Sequence, residues 1–108
     1  MRKRLRDIAF ARSGDKGNAA NVALFARTPA AYPWIRDQVT AARVEEWFRP
    51  LGVGTVVRFE APNLEALNFL LPHALGGGGS RSLRIDAQGK TLGQALLEMP
   101  VDCPEDGP

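Results

Sequence analysis

Apolar and polar residues alternate from Arg6 to Ala11. Arg6, Ile8 and Phe10 fall on one side, and Asp7, Ala9 and Ala11 on the other. A period of two predicts a strand with one mostly apolar face. After a polar interruption comes 21-NVALFA-26, a short apolar run that reads as a strand buried on both faces and central in its sheet. The two strands can close as an antiparallel hairpin. The pattern then changes. Pro33 suits the first turn of a helix. Thr40 is placed to cap a second helix, in which Val44, Trp47 and Phe48 repeat at i, i+3 and i+4. Two short helices are therefore expected over about 31–38 and 41–49, with Trp47 and Phe48 in the core and Pro50, Leu51 and Gly52 as the stop.

Val53, Thr55, Val57 and Phe59 alternate with Gly54, Val56, Arg58 and Glu60, which predicts a third strand. In 62-PNLEALNFLLPHAL-75, Pro62 or Asn63 begins a predicted helix with Leu64, Leu67 and Leu71 on one face and Pro72 near its end. Four glycines, Gly76 to Gly79, precede 82-SLRIDA-87, the expected fourth strand, which Gln88 and Gly89 would turn. Thr91 and Gln94 suggest a capping box for a last helix that buries Leu92, Ala95, Leu96 and Met99. Pro100 stops it, and from Val101 onwards a loose tail is expected. The order β, β, α, α, β, α, β, α favours an α+β fold. Its natural form is a ferredoxin-like α/β sandwich, with a four-stranded, largely antiparallel sheet and helices packed mainly on one face. One domain is expected over 1–100, with 101–108 as the tail.

Composition narrows the function classes. A chain of 108 residues supports one modest core. Its ordinary charged and apolar fractions argue against disorder and collagen-like repeats. No run reaches the roughly 18 apolar residues of a membrane helix, so no membrane partner is expected. The start, 1-MRKRLRDIAF-10, lacks the apolar segment of a signal peptide. The single cysteine, Cys103, can form no intrachain disulfide, and a reducing cytoplasm is the expected location. His73 is the sole histidine, so a zinc site fails on ligand count; no metal and no cofactor is expected. The net charge of +2 is uneven, with Arg2, Lys3, Arg4 and Arg6 at one end and Asp102, Glu105 and Asp106 at the other. A basic end can bind nucleic acid. No aromatic residues interleave with it as stacking platforms, which disfavours that reading.

Two places break the pattern of a core-building chain. The first is 11-ARSGDKGNAAN-21, which spends Arg12, Ser13, Asp15, Lys16, Asn18 and Asn21 where a hairpin needs only a short turn. Asp15 and Asn18 can accept hydrogen bonds from their own loop, and Gly14 and Gly17 can adopt positive φ, so a well-knit turn explains much of it. The functional reading is that Asp15 and Lys16 face a ligand or partner. The second place is Gly76 to Arg81. Successive glycine amides can form an anion nest, to which Ser80 and Arg81 would add a hydroxyl and a guanidinium. The segment lacks the Gly-Lys-Ser/Thr ending of a nucleotide loop, and it also has the composition of a flexible linker. Asn63 reads as a cap. Asn68 lies in a predicted helix, where asparagine is a poor choice, and burial would oblige it to find hydrogen-bond partners. One histidine would have to serve any serine–histidine scheme through Ser13 or Ser80, and an acid/base role for Asp15 and Lys16 is unspecific.

Three stretches, 12-RSGDKGNAAN-21, 60-EAPNLEALNFLL-71 and 74-ALGGGGSRSLRIDAQGKTLGQALLEM-99, together resemble the C-terminal ferredoxin-fold domain of the acyclic terpene utilisation (AtuA-like) family, over about Leu5 to Met99. The matching positions are Ser13, Gly14, Asp15, Lys16, Gly17, Asn18 and Asn21, then Pro62, Asn63, Leu67 and Asn68, then Gly76, Gly77, Gly78, Ser82 and Arg84. Gly79, Ser80 and Arg81 depart from the family pattern, which counts against an anion role for the last two. The family's larger members carry this domain behind a big N-terminal one and are associated with breakdown of acyclic terpenes such as citronellol and geraniol through acyl-CoA intermediates. The resemblance implies a stand-alone version, an accessory subunit that partners a larger AtuA-like protein on a separate chain. The alternatives are an independent small enzyme or ligand-binding protein for an acyl-CoA or carboxylate, and, behind both, a nucleic-acid module. A homo-oligomer is also expected, since small sheets often hide an edge by pairing. The candidate site comprises Ser13, Asp15, Lys16, Asn18, Asn21, Asn63, Asn68, Gly76, Gly77, Gly78, Ser80 and Arg81, expected to meet in one surface region.

Overall fold

The computed structural model describes residues 2–16, 19–72 and 90–102. Its central feature is a four-stranded antiparallel sheet. Strands β2 (Ala9–Lys16) and β3 (Ala19–Ala26) form the expected hairpin, in register from Ala9 opposite Ala26 to Lys16 opposite Ala19, but Ser13 to Lys16, expected in its loop, are ladder-paired residues of β2. Strands β4 (Val57–Ala61) and β5 (Ala66–Leu71) form a second hairpin, and β5 pairs with β3, giving the order β2-β3-β5-β4. Between the hairpins lie helices α1 (Tyr32–Gln38) and α2 (Ala41–Trp47), close to the predicted bounds. The Thr40 hydroxyl accepts from the Arg43 amide at 3.1 Å, so the predicted cap is made. Helix α3 (Lys90–Leu97) packs against β2 and β3. The α+β, ferredoxin-like class is as expected.

One element differs in kind. The segment after Pro62 is a short 3-10 turn, Pro62–Leu64, followed by strand rather than by helix. Leu64, Leu67 and Leu71 fit a helical face, but Leu67, Phe69 and Leu71 fit a strand face equally well, and these three are the fully buried ones. Glu65 supplies the left-handed bend between the strands, with φ of 53°, and its carbonyl accepts from the Ala26 amide at 2.9 Å. Sheet pairing on both sides of β5 satisfies its backbone, and that long-range pairing overrides local helical preference. Asn68 is therefore a strand residue. The segment 82–87, its turn at 88–89 and the glycine run lie outside the described residues.

The chain ends also differ from expectation. Arg2–Arg4 form strand β1, and Pro100–Asp102 form strand β6, paired antiparallel as a separate two-stranded ribbon. Val101 is thus buried in a strand and does not begin a loose tail. A 3-10 turn, Leu5–Asp7, interrupts the alternation predicted from Arg6, so Ile8 and Ala9 are both buried and Phe10 turns outward. Helix α3 already includes Lys90, which places Thr91 inside the helix and not at its cap. Of its predicted face, Leu92, Leu96 and Met99 are buried.

The core lies between one face of the sheet and the helices. Ala20, Val22 and Leu24 of β3, with Leu67, Phe69 and Leu71 of β5, meet Ile35, Val39, Val44, Phe48, Leu92 and Leu96. Each large side chain buried here contributes about 1.5–3 kcal/mol by leaving water. Gly93 lets α3 approach closely, because a Cβ there would meet the Ala11 Cβ and Ser13 Oγ at 3.3 Å. Polar joints tie the helices down. Arg58 donates to the carbonyls of Arg36 and Val39 at 2.8 Å, neutralising the C-terminal end of α1. The Trp47 indole donates to the Ala95 carbonyl at 3.0 Å; this holds α2 to α3 and leaves the ring at the surface, although the sequence places it in the core.

Candidate functional site

Strand alternation and the observed register assign each sheet residue to a face. On the inner face Ala11, Leu24, Leu67 and Glu60 form one row, and Ser13, Val22, Phe69 and Arg58 the next. On the outer face the rows are Phe10, Phe25, Ala66 and Ala61; then Arg12, Ala23, Asn68 and Phe59; then Gly14, Asn21, Leu70 and Val57. Strands about 4.8 Å apart and rows about 7 Å apart give this outer field a footprint of roughly 20 × 20 Å.

The outer field is apolar and open. Phe10, Val57 and Phe59 are 44%, 41% and 51% exposed, and Phe25, Ala23 and Leu70 are half-buried. A contiguous exposed apolar surface marks an interaction site more often than a scattering of single residues does. Phe10 and Phe25 stack across the β2–β3 pair, with centroids 5.3 Å apart and planes 13° from parallel. The Arg27 guanidinium carbon lies 6.0 Å from the Phe10 centroid, within cation–π range. Asn68 sits in the middle row and Asn21 diagonally across from it on the adjacent strand, both half-buried. Neither amide hydrogen-bonds to another described residue. No carboxylate occupies any of the twelve outer positions.

The candidate residues that the structure describes are spread over the sheet. Asn21 and Asn68 share the outer face. Ser13 lies on the inner face, against the position of Gly93 in α3. Asp15 and Lys16 occupy the last two positions of β2, opposite Ala20 and Ala19. Asn63 lies in the exposed turn between β4 and β5, at the other end of the sheet from Lys16 and Ala19. Five strand residues separate the two ends, about 16 Å. The expected single region is therefore not formed by these residues. Asn18, Gly17, Gly76, Gly77, Gly78, Ser80, Arg81, Ser82, Arg84, His73 and Cys103 lie outside the described residues. Among the described residues no group of three or more His, Cys, Asp or Glu could hold a metal ion, and no helix is long and apolar enough to cross a membrane.

Sequence reasoning missed the aromatic residues of the outer face. A signal was present: in 19-AANVALFA-26, Asn21, Ala23 and Phe25 share one phase and Ala20, Val22 and Leu24 the other. An all-apolar run hid the fact that only one phase is covered. A concavity of about 480 Å³ lies between α2 and β6 and is lined by Trp47, Met99, Pro50 and Pro100, with Arg43 and Glu46. Its polar groups are engaged in joints: Arg43 donates to the carbonyls of Gln38 and Pro100, and Glu46 pairs with Arg49 at 2.9 Å.

A layer of helices on one side of a four-stranded antiparallel sheet, with no described element over the other side, defines a ferredoxin-like α+β domain. The chain matches the model of the AtuA ferredoxin-like domain over residues 3–102 and belongs to that family. No curated protein and no solved structure matches the chain.

Proposed function

We propose that this domain is an accessory, protein-docking module that joins a larger AtuA-like protein on a separate chain and works beside it in acyclic terpene or acyl-CoA catabolism. The observation that carries this reading is the open outer face of the sheet, where Phe10, Phe25, Phe59, Val57 and Leu70 surround Asn21 and Asn68. Such a surface has the makeup of an interface core, rich in aromatic residues and free of acids. Two of the residues that carry the family resemblance, Asn21 and Asn68, lie within it, and their amides can pair with groups a partner brings. By contrast, the described residues assemble no nucleophile with a base and an orienting group. The test is a pull-down of the tagged full chain from its native cells, with mass spectrometry, beside Phe59→Ser. A larger AtuA-like protein should be recovered by the wild type and lost in the variant. Recovery of the chain alone in both, or turnover of an acyl-CoA by the isolated chain, would overturn the reading.

A further inference from the structure

The charge on the open face goes further than its apolarity. Among the arginines whose side chains are described, Arg4, Arg6, Arg36, Arg49 and Arg58 each pair with a carboxylate. Arg43 and Arg27 donate to backbone carbonyls. Arg12 does neither; it lies exposed in the middle row of the outer face. We propose that this face receives one heterologous protein surface, apolar and bearing a carboxylate that pairs with Arg12. This rests on the docking role above and names the chemistry of the partner.

Charge complementarity selects that occupant. A guanidinium on an apolar field gains most from a planar carboxylate that it can hold bidentately once water is excluded. A second copy meeting it face to face offers none, because its twelve outer positions carry Arg12 and no acid. An isologous contact would set the same cationic patch against itself. Single-stranded nucleic acid would supply anions, but it needs free ring faces for its bases. Phe10 is already engaged by Phe25 and Arg27, and Val57 and Leu70 are aliphatic, which leaves Phe59 as a single exposed ring where a strand of bases needs a series of them.

The experiment places a photo-reactive phenylalanine analogue at position 59 of the full chain in its native cells. The cross-linked protein is sequenced, purified and titrated with the wild type, Arg12→Glu and Arg12→Gln. The expected result is a different protein, joined through an apolar peptide that contains an Asp or Glu. Arg12→Glu should weaken its binding about 10- to 100-fold, and Arg12→Gln less. Reversing the partner's acid to Arg should restore affinity for Arg12→Glu. A captured partner that binds both variants as tightly as wild type overturns the inference and leaves the docking role standing. Cross-linking only to a second copy, or to RNA, overturns it in favour of that occupant. No cross-link at all also overturns it, and the pull-down then decides the docking role separately. Thermal melts of the variants check that each is folded.

Discussion

The two faces of the sheet are built from the same strands, residue by residue in alternation, yet they have opposite fates. In β3, Ala20, Val22 and Leu24 are wholly covered, while Asn21, Ala23 and Phe25 are only half-buried. In β5, Leu67, Phe69 and Leu71 are covered, while Asn68 and Leu70 are not. The inner face is what holds the fold together, because three helices lock into it. The outer face is nearly as apolar but has no covering layer among the described elements. Apolar composition alone therefore does not distinguish core from interface. The bonding of the polar groups does: Arg58 on the inner face is held by two carbonyls at the C-terminal end of α1, whereas the amides of Asn21 and Asn68 make no hydrogen bond to a described residue.

The sharpest way to break this comparison is to truncate one phenylalanine on each face. Phe69→Ala should cost about 3–5 kcal/mol, the usual penalty for emptying a phenylalanine site in a core. Phe59→Ala, directly across the β4–β5 pair from Asn68, should cost less than about 1 kcal/mol. Urea denaturation of the two variants measures both. Similar costs would mean that Phe59 is covered in solution by some part of the protein, and the open-face reading would fail. The next effect in size is Gly93→Val. The side chain would press on Ala11 and Ser13, so α3 must lift from the sheet, at about 1–3 kcal/mol. A neutral Gly93→Val would show that the helix–sheet contact is slack and that the inner face is less committed than its burial suggests.

How much of this was legible depended on whether the deciding interactions were local. Hairpin β2–β3 and the two helices were readable because a period, a proline and a capping threonine act within a few residues. Thr40 is the clearest instance: Thr40→Ala should cost about 1 kcal/mol, read from the same denaturation curves. Strand β5 was misread because its leucines satisfy both periods, and the choice is made by pairing with β3, far away in sequence. Ribbon β1–β6 was invisible for the same reason, since it joins the two ends of the chain. The same holds for the described members of the candidate site. Ser13, Asn21 and Asn63 belong to the resembling stretches, but strand direction and face, which no single stretch encodes, send them to three different places.

The smallest predicted stability effect tests what the polar centre of the outer face is for. Asn68 lies between Ala23 and Phe59 on a mostly apolar field, and its amide makes no hydrogen bond to a described residue. If the amide served the fold, replacing it would loosen the sheet. If it serves a partner, Asn68→Leu should change stability by less than about 0.5 kcal/mol, because leucine suits a strand and the site is half-open to water. The consequence should appear elsewhere. The variant joins Leu70, Phe59 and Phe25 into an unbroken apolar surface, so it should self-associate at concentrations where the wild type sediments unchanged, and sedimentation velocity reads the difference. It should also bind the docking partner more weakly, since a buried partner group loses its hydrogen bond. A variant that is clearly destabilised yet stays as dispersed as wild type would move Asn68 from the interface to the fold, and with it the main distinction between the two faces.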